Sequence, residues 1–187
     1  MFVSEGPGKR WRVTAGLLAC FVFGGSRAAE DSDLLAYTLP ALTESAPPLD
    51  LATLRGRPVV LLFFEPGCHW CLKQMEVLSE LAKPYNLRVV AVGVHGTPRE
   101  LRRWAGRSAS SFPLTIATPE LLDAVRGIPA TPYLLMTDER GRLTRRFRGF
   151  ANCTTLQLVL EPIVNATLES KHQCHKAWTE IDVPPPI

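Results

Sequence analysis

Two cysteines separated by two residues carry the clearest chemical signal in this chain of 187 residues. Cys68 and Cys71 enclose His69 and Trp70 in a Cys-His-Trp-Cys motif. Residues three positions apart on a helix share a face, so the two sulfur atoms are within reach of a disulfide bond. Thiols in such motifs have their pKa lowered from about 8.5 to roughly 3.5–7.5, which favours the nucleophilic thiolate. The motif predicts reversible thiol–disulfide exchange, with half of a zinc site or an inert structural pair as alternatives.

The two cysteines lie where an apolar run meets an amphipathic pattern. Residues 59–64 are six consecutive apolar residues, which predicts a buried central strand. Residues 66–67 (Pro-Gly) end that run, and apolar residues then recur at helical spacing, at Leu72, Met75, Leu78, Leu81 and Ala82. Cys68 is expected at the N-terminus of this helix, where unpaired N–H groups and the helix dipole stabilise a thiolate. We therefore predict that Cys68 attacks substrates and that Cys71, one turn deeper, resolves the mixed disulfide.

The rest of the sequence predicts alternating strands and helices around this junction. Runs rich in β-branched and apolar residues predict strands near 37–42, 87–94, 112–114, 133–137 and 143–147. Helical patterns begin at Pro98 and occupy 119–125 and 154–168, with Pro162 interrupting the last. A strand, a helix and a strand of these lengths form a right-handed crossover between parallel neighbours. The order of elements predicts an α/β fold.

The N-terminus has the layout of an export signal. Lys9, Arg10 and Arg12 precede an apolar stretch at 13–23, and small residues follow it. We predict that residues 1–28 are a signal peptide cleaved after Ala28, which would place the protein in the periplasm or outside the cell. An uncleaved membrane anchor and a lipoprotein site at Cys20 are the alternatives.

The excess of basic residues in the full chain belongs to this predicted signal. Removing residues 1–28 takes away four basic residues and one acidic residue from totals of 21 and 18, which leaves 17 of each and no formal net charge. A neutral domain gives no charge-based reason to expect binding to nucleic acid or to an acidic membrane. Residues 29–187 are long enough for one domain with its own core, which we predict at about 39–162 with a C-terminal extension at 163–187.

The chain resembles the thioredoxin superfamily, and most closely its extracytoplasmic, TlpA-like branch of thiol-disulfide oxidoreductases. The resemblance spans about 39–162. It depends on the approach at 50–60, on the motif at 68–71, and on the segment 127–132 (Gly-Ile-Pro-Ala-Thr-Pro), which is followed by a strand and the turn at 138–141. It implies a thioredoxin-like α/β fold in which a central mixed β-sheet is flanked by helices.

The resemblance also implies roles for residues around the two cysteines. It implies a cis peptide bond between Thr131 and Pro132 that faces Cys68, and a Thr131 backbone that pairs with an extended substrate as an added strand. An ordinary trans proline at the start of a strand is the alternative. The dipeptide between the cysteines, here His69 and Trp70, tunes the redox potential in this superfamily, and a protonated His69 would favour the thiolate.

Glu65 lies three residues before Cys68 in an apolar context, and two roles are open for its carboxylate. It either accepts or relays the proton of Cys71, or it is a solvated group on the rim of the site. Thioredoxin itself uses an aspartate at the position of Leu62, so this chain lacks that proton acceptor.

Two further cysteines, Cys153 and Cys174, flank the predicted closing helix. In an oxidising compartment we expect them to form a structural disulfide. A second redox-active pair is one alternative, and a zinc site that adds His172 and His175 is another.

Five arginines between positions 140 and 148 mark the last predicted hairpin. Charged residues on an edge strand discourage pairing with a second sheet, which is the default interpretation. A docking patch for an acidic partner is the alternative.

Together these features predict an exported protein thiol-disulfide oxidoreductase, most simply a reductant or isomerase. Its reactive group would be the Cys68–Cys71 pair, with no other cofactor and no metal, and its partners would be cysteine-containing client proteins and a redox partner protein. A copper chaperone that binds through Cys68, Cys71 and His95 is a second hypothesis. A binding module that kept the fold without catalysis is a third.

Overall fold

The structure is a computed structural model that describes residues 33–108 and 111–163. Its strands are β1 (Thr38–Leu39), β2 (Leu49–Asp50), β3 (Val59–Phe64), β4 (Arg88–Gly93), β5 (Leu114–Ile116), β6 (Tyr133–Thr137) and β7 (Leu143–Arg148). Its helices are α1 (His69–Ala82), α2 (Pro98–Ala105), α3 (Pro119–Val125) and α4 (Cys153–Ile163). A 3₁₀ helix, Leu51–Leu54, follows β2.

Five strands form one mixed sheet in the order β5-β4-β3-β6-β7. β3 lies in the centre, parallel to β4 and antiparallel to β6, and β4 is parallel to β5. The carboxyl ends of β3, β4, β5 and β7 therefore meet the start of β6 at one edge of the sheet. Because α1 begins directly after β3, the Cys-His-Trp-Cys motif lies at this edge.

Both faces of the sheet are covered, which explains the continuous apolar run of β3. All six β3 side chains are fully buried. Val60, Leu62 and Phe64 contribute to a core that includes residues of α1, α2 and α4. The alternate β3 residues contribute to a second core with α3 and the segment before β2. A strand buried on both faces has no polar alternation, as the sequence predicted.

The segment from Asp33 to Ala41 crosses the second face of the sheet from one side to the other. Asp33 forms a β-bridge with Arg142 beside β7, and Ala41 forms one with Thr115 in β5. Between them, apolar side chains of the segment are buried against the sheet: Leu34, Leu35 and Leu39.

The predicted α/β class and mixed sheet flanked by helices are confirmed. The strand expected near 37–42 is wrong in extent, because only Thr38–Leu39 is strand and it pairs with β2 in a separate two-stranded sheet. The short helix Leu51–Leu54, where the Asp50 side chain accepts a hydrogen bond from the Ala52 N–H, was not anticipated. The closing helix begins one residue earlier than predicted, at Cys153, and contains Pro162.

Several sequence predictions concern residues outside the described ranges. They include the signal peptide at 1–28, the extension at 163–187 beyond its first residue, and the individual residues Cys20, His172, Cys174 and His175. Among residues 33–108 and 111–163, no helix is long and apolar enough to cross a membrane.

Candidate active site

The turn between β3 and α1 sets the position of the first cysteine. Glu65 follows the last β3 residue, and its carbonyl oxygen accepts a hydrogen bond from the Cys68 N–H at 3.3 Å. Gly67 has φ +88°, a conformation that costs about 1–2 kcal/mol for a residue with a Cβ. The Pro-Gly pair thus closes a tight turn that brings the chain from the sheet directly into the first turn of α1.

Cys68 and Cys71 form a disulfide bond with their Cα atoms 5.3 Å apart. Cys68 is the N-cap residue of α1, and its Sγ accepts a hydrogen bond from the Cys71 N–H at 3.1 Å. Cys68 is partly exposed, whereas Cys71 is fully buried in the core beneath it. After reduction, the free N–H groups of the first helical turn would face the sulfur that solvent reaches.

Thr131 and Pro132 lie across the sheet edge from this turn. Phe63 pairs with Tyr133, so the antiparallel register continued by two residues places Glu65 opposite Thr131. The Thr131 hydroxyl donates a hydrogen bond to the Glu65 carboxylate, and the Thr131–Pro132 peptide bond is cis. Glu65 is therefore a half-buried, hydrogen-bonded group and not a freely solvated one.

The backbone of Thr131 makes no backbone hydrogen bond to another described residue, whereas the Pro132 carbonyl accepts one from the Gly149 N–H at 2.8 Å. Of these two neighbouring residues, Pro132 is buried and Thr131 is half-buried. The N–H and C=O of Thr131 are thus the groups at this edge that an extended chain could pair with.

The dipeptide between the cysteines divides into an exposed and a packed residue. His69 is exposed, and Trp70 is half-buried with its ring 5.3 Å from the ring of Phe150. The Lys73 ammonium lies 5.4 Å from the centre of the Trp70 ring, a cation–π distance. Trp70 therefore connects the start of α1 to the loop that follows β7.

Gln74 fastens the same loop to α1 and was not anticipated from the sequence. Its side chain is fully buried, its Nε2 donates to the Ala151 carbonyl at 3.1 Å, and its Oε1 accepts from the Ala151 N–H at 2.8 Å. Gln74 lies three residues after Cys71 and next to Met75, on the core-facing side of the helix. An uncharged polar residue at a core position of an amphipathic helix is the signal that could have found it.

These features of the fold agree with known proteins. The family of TraF, the F plasmid transfer operon protein, matches residues 49–122. The thiol-disulfide oxidoreductase ResA of Bacillus thuringiensis (strain Al Hakam) is 22% identical over 104 residues, which cover 54% of this chain and 60% of ResA. The chain thus spans less than two thirds of the length of this curated relative.

Solved structures give a longer match. A secreted Mycobacterium tuberculosis disulfide oxidoreductase homologous to E. coli DsbE aligns with a TM-score of 0.58 at 20% identity, covering 70% of this chain and 98% of that chain. A thiol:disulfide interchange protein of the thioredoxin family from Chlorobium tepidum TLS aligns with a TM-score of 0.60 at 18% identity, covering 68% and 92%. The chain has the thioredoxin fold. The resemblance to thiol-disulfide oxidoreductases of the thioredoxin superfamily agrees with these matches.

The sequence left two metal sites open as alternatives, a copper site that includes His95 and a zinc site that includes Cys153. Within 33–108 and 111–163 no group of three or more His, Cys, Asp and Glu residues is placed to hold a metal ion, and the copper site at Cys68, Cys71 and His95 stays a hypothesis. Cys153 is fully buried and disulfide-bonded. Its predicted partner, Cys174, lies outside the described residues, so that pairing stays a prediction.

Proposed function

We propose that this protein is a thiol-disulfide oxidoreductase that exchanges disulfides with client proteins through Cys68 and Cys71. The observation that carries the proposal is the asymmetry of the pair: Cys68 is partly exposed at the N-cap of α1, and Cys71 is buried one turn further. The relationship to ResA, itself a thiol-disulfide oxidoreductase, supports the same reaction class.

The exchange consists of two displacements at sulfur. The Cys68 thiolate attacks one sulfur of a client disulfide, which forms a mixed disulfide and releases the other client sulfur as a thiolate. Cys71 then loses its proton and attacks the Cys68 sulfur, which releases the second client thiolate and leaves the Cys68–Cys71 disulfide. The client gains two electrons and two protons, and the protein is oxidised. A dithiol partner protein must reduce the pair again before the next turnover.

Client binding would use the backbone of Thr131. Thr131 lies opposite Glu65, which is three residues before Cys68, and its N–H and C=O pair with no described backbone group, so an extended client segment fits there as an added strand. We propose that Glu65 supports this by holding the Thr131 hydroxyl, and that Trp70 and His69 shape the rim around the reactive sulfur.

Mutants of the two cysteines test the proposal. Cys71→Ser should trap mixed disulfides with clients, because the first attack proceeds and the release step is lost. Cys68→Ser should trap few or none, because the buried Cys71 cannot reach a client. Non-reducing electrophoresis of both variants gives the measurement, with insulin reduction by the wild type as the activity readout. Equal trapping by the two variants would contradict the assignment of the nucleophile, and an inactive wild type would contradict the enzyme function.

We also propose that the protein works outside the cytoplasm. The export-signal pattern at 1–28 supports this, as does the secreted relative from Mycobacterium tuberculosis. Fractionation and intact-mass measurement of the exported protein should give an N-terminus at Ala29. A mass that includes residues 1–28 would instead identify an uncleaved anchor.

A further inference from the structure

A charged cavity lies beside the turn that carries Cys68. It has a volume of about 380 Å³ and is lined by Pro66, Glu100, Arg103, Trp104 and Arg107. Cavities of roughly 300–1,000 Å³ are the usual size of sites for small ligands or single side chains. Pro66 is two residues before Cys68, a separation of at most about 7 Å along an extended chain. Whatever occupies the cavity therefore lies next to the reactive end of α1.

One face of α2 and the residues just after it form one wall of this cavity. Positions 100, 103, 104 and 107 follow the three- and four-residue steps of one helical face. The opposite face is buried in the core through Leu101 and Ala105. The active-site turn supplies the other wall through Pro66. Gly96 lets the turn approach closely, because a Cβ at this position would lie 2.8 Å from the Pro66 Cγ. Packing thus fixes α2 against the turn.

The cavity has more positive than negative charge. Arg103 and Arg107 supply two guanidinium groups against the single carboxylate of Glu100. Neither arginine lies within ion-pair distance of an acidic group in 33–108 and 111–163, although, after the hydrogen bonds from Thr97, the charge of Arg103 contributes to lowering the pKa of Glu100. The Glu100 carboxylate is already used by the N-cap of α2, since its Oε2 accepts hydrogen bonds at 2.8 Å from the Thr97 N–H and from the Thr97 hydroxyl. Arg102, the neighbour of Arg103 in the sequence, forms an ion pair with Glu44.

An aromatic ring orders one of these guanidinium groups. The Arg107 guanidinium carbon lies 4.8 Å from the centre of the Trp104 ring, so the ring limits its motion. The indole Nε1–H of Trp104 is buried and has no acceptor among the described residues. A buried donor without an acceptor is unfavourable unless a bound group or water supplies one. Two forked cations suit a carboxylate, which accepts several hydrogen bonds.

We propose that this cavity, formed by Arg103, Trp104, Arg107 and Pro66, binds an acidic side chain that a client protein carries close to its reactive cysteine. The proposal rests on the proposed function, because Pro66 of the cavity lies two residues before Cys68, which attacks the client. The Thr131 backbone would pair with any extended client, whatever its sequence, whereas the arginines would select clients by charge. The cavity would thus act as a specificity site for disulfide exchange.

Matched peptides test the proposal. Two cystine peptides of equal length would differ only by Glu or Gln near the cystine, and kcat/KM would be measured for each. The wild type should prefer the Glu peptide by about 1.4- to fivefold at low ionic strength, the factor that one exposed ion pair is worth. The preference should shrink in about 1 M salt, where the screening length falls to about 3 Å.

Variants of α2 locate the preference. Arg103→Ala/Arg107→Ala should bring the ratio of the two kcat/KM values to about one, and Arg103→Lys/Arg107→Lys should keep part of it. Trp104→Phe keeps the ring but removes the N–H, and should lower the ratio less than the double alanine variant. Arg99→Ala is the matched control, because it removes one arginine from the same helix without touching the cavity, and it should leave the ratio unchanged.

Three outcomes separate the possibilities. Equal wild-type rates on both peptides would overturn the specificity site while leaving the proposed function intact. No turnover of either peptide would instead overturn the proposed function, and the inference with it. Saturable use of oxidised glutathione that depends on the two arginines, without discrimination between the peptides, would assign the cavity to a small carboxylated disulfide and overturn its assignment to client proteins.

Discussion

The two ends of the central strand β3 are fastened in different ways. At its N-terminal end, charged groups satisfy one another: the Arg55 guanidinium pairs with the Asp33 carboxylate and donates to the Arg140 carbonyl, and the Gly56 N–H donates to the Glu139 carbonyl at 3.0 Å. At its C-terminal end, the Glu65 carboxylate accepts a hydrogen bond from the Thr131 hydroxyl, and the Thr131 backbone pairs with no backbone group of another described residue. One end closes the fold, and the other keeps groups available for a second molecule.

The residues that only stabilise the fold and the residues that also take part in the chemistry thus lie at opposite ends of β3. The N-terminal end of β3 joins a hairpin and an incoming segment, and substitutions there should affect unfolding but not exchange. The C-terminal end joins the reactive turn to the loops at 127–132 and 149–152, and substitutions there should affect both. Four predictions test this division, beginning with the largest expected effect.

Gln74→Leu should lower the free energy of unfolding by about 2–4 kcal/mol, because it leaves the Ala151 N–H and carbonyl buried without partners. The loop that supports Trp70 at the C-terminal end would loosen, so exchange should slow as well. Urea denaturation of the oxidised protein and insulin reduction give the two measurements. Glu76→Gln, on the exposed side of the same helix, is the control and should change unfolding by less than about 0.5 kcal/mol. A Gln74→Leu variant as stable as the wild type would refute the structural role of the clamp.

Gly141→Ala and Gly67→Ala compare the two ends directly, because the glycines have nearly equal φ values of +89° and +88°. At Gly141 a Cβ would clash with the Asp33 Oδ1, whereas at Gly67 it would meet nothing within 4 Å. Gly141→Ala should cost more than about 2 kcal/mol, and Gly67→Ala only the 1–2 kcal/mol or so of the left-handed backbone. Exchange should fall only in Gly67→Ala, which moves Cys68. The opposite pattern of activity loss would break the division between the ends.

Glu65 and Thr131 sharpen the comparison at the C-terminal end. Thr131→Val removes the hydroxyl and should reduce kcat/KM for clients by about two- to fivefold, as expected for loss of one net hydrogen bond of roughly 0.5–1 kcal/mol. Glu65→Gln keeps an acceptor for that hydroxyl, so we expect near wild-type rates and an unchanged pH profile. If Glu65→Gln instead slowed release of clients from the mixed disulfide near neutral pH, Glu65 would be the proton acceptor for Cys71.

The hairpin turn at the N-terminal end of β3 should contribute a small, pH-dependent term. Burial raises the pKa of Asp138, but hydrogen bonds from the Arg142 N–H and guanidinium and from the Arg140 N–H outweigh it, so the pKa lies below its usual value. A depressed pKa contributes stability above the unfolded value near 3.9, and that contribution is lost as the pH falls below it. In the Asp138→Asn variant, the stability of the fold should fall less steeply with decreasing pH, by less than about 1 kcal/mol, as measured by thermal unfolding at a series of pH values. The rate of exchange should not change.

The parts of the fold that follow local rules were predictable from sequence. The run at 59–64 and the helical spacing after Cys68 place the strand, the turn and the helix, and the structure has all three at those residues. The bounds of α3 and β6 agree to the residue because Thr118 caps a helix that begins with proline and because Tyr133 starts an uninterrupted apolar run.

The parts that depend on contacts between distant segments were not predictable. Gln74 binds a backbone 77 residues away, and nothing within its own helix shows the partner. Phe150 reaches Trp70 through the same loop, and the cavity beside Pro66 needs the packing of α2 against the turn. The pairing of Glu65 with Thr131 depends on the register between β3 and β6, which a single sequence does not give. The charges and the hydrophobic periodicity of a segment predict its secondary structure, but they do not predict which other segment packs against it.

The path of the segment from Asp33 to Ala41 has a consequence for how the protein can be held. Its first residue lies beside Gly141 and Arg142, at the end of the sheet opposite Cys68, and its last residues extend the far side of the sheet next to β5. An attachment made ahead of Asp33 would therefore hold the domain by the end away from the reactive sulfur. A domain immobilised in this way would present Cys68 outward. A pulling force applied at the attachment would act first on the Asp33–Arg55 ion pair and then on the buried leucines that follow Asp33.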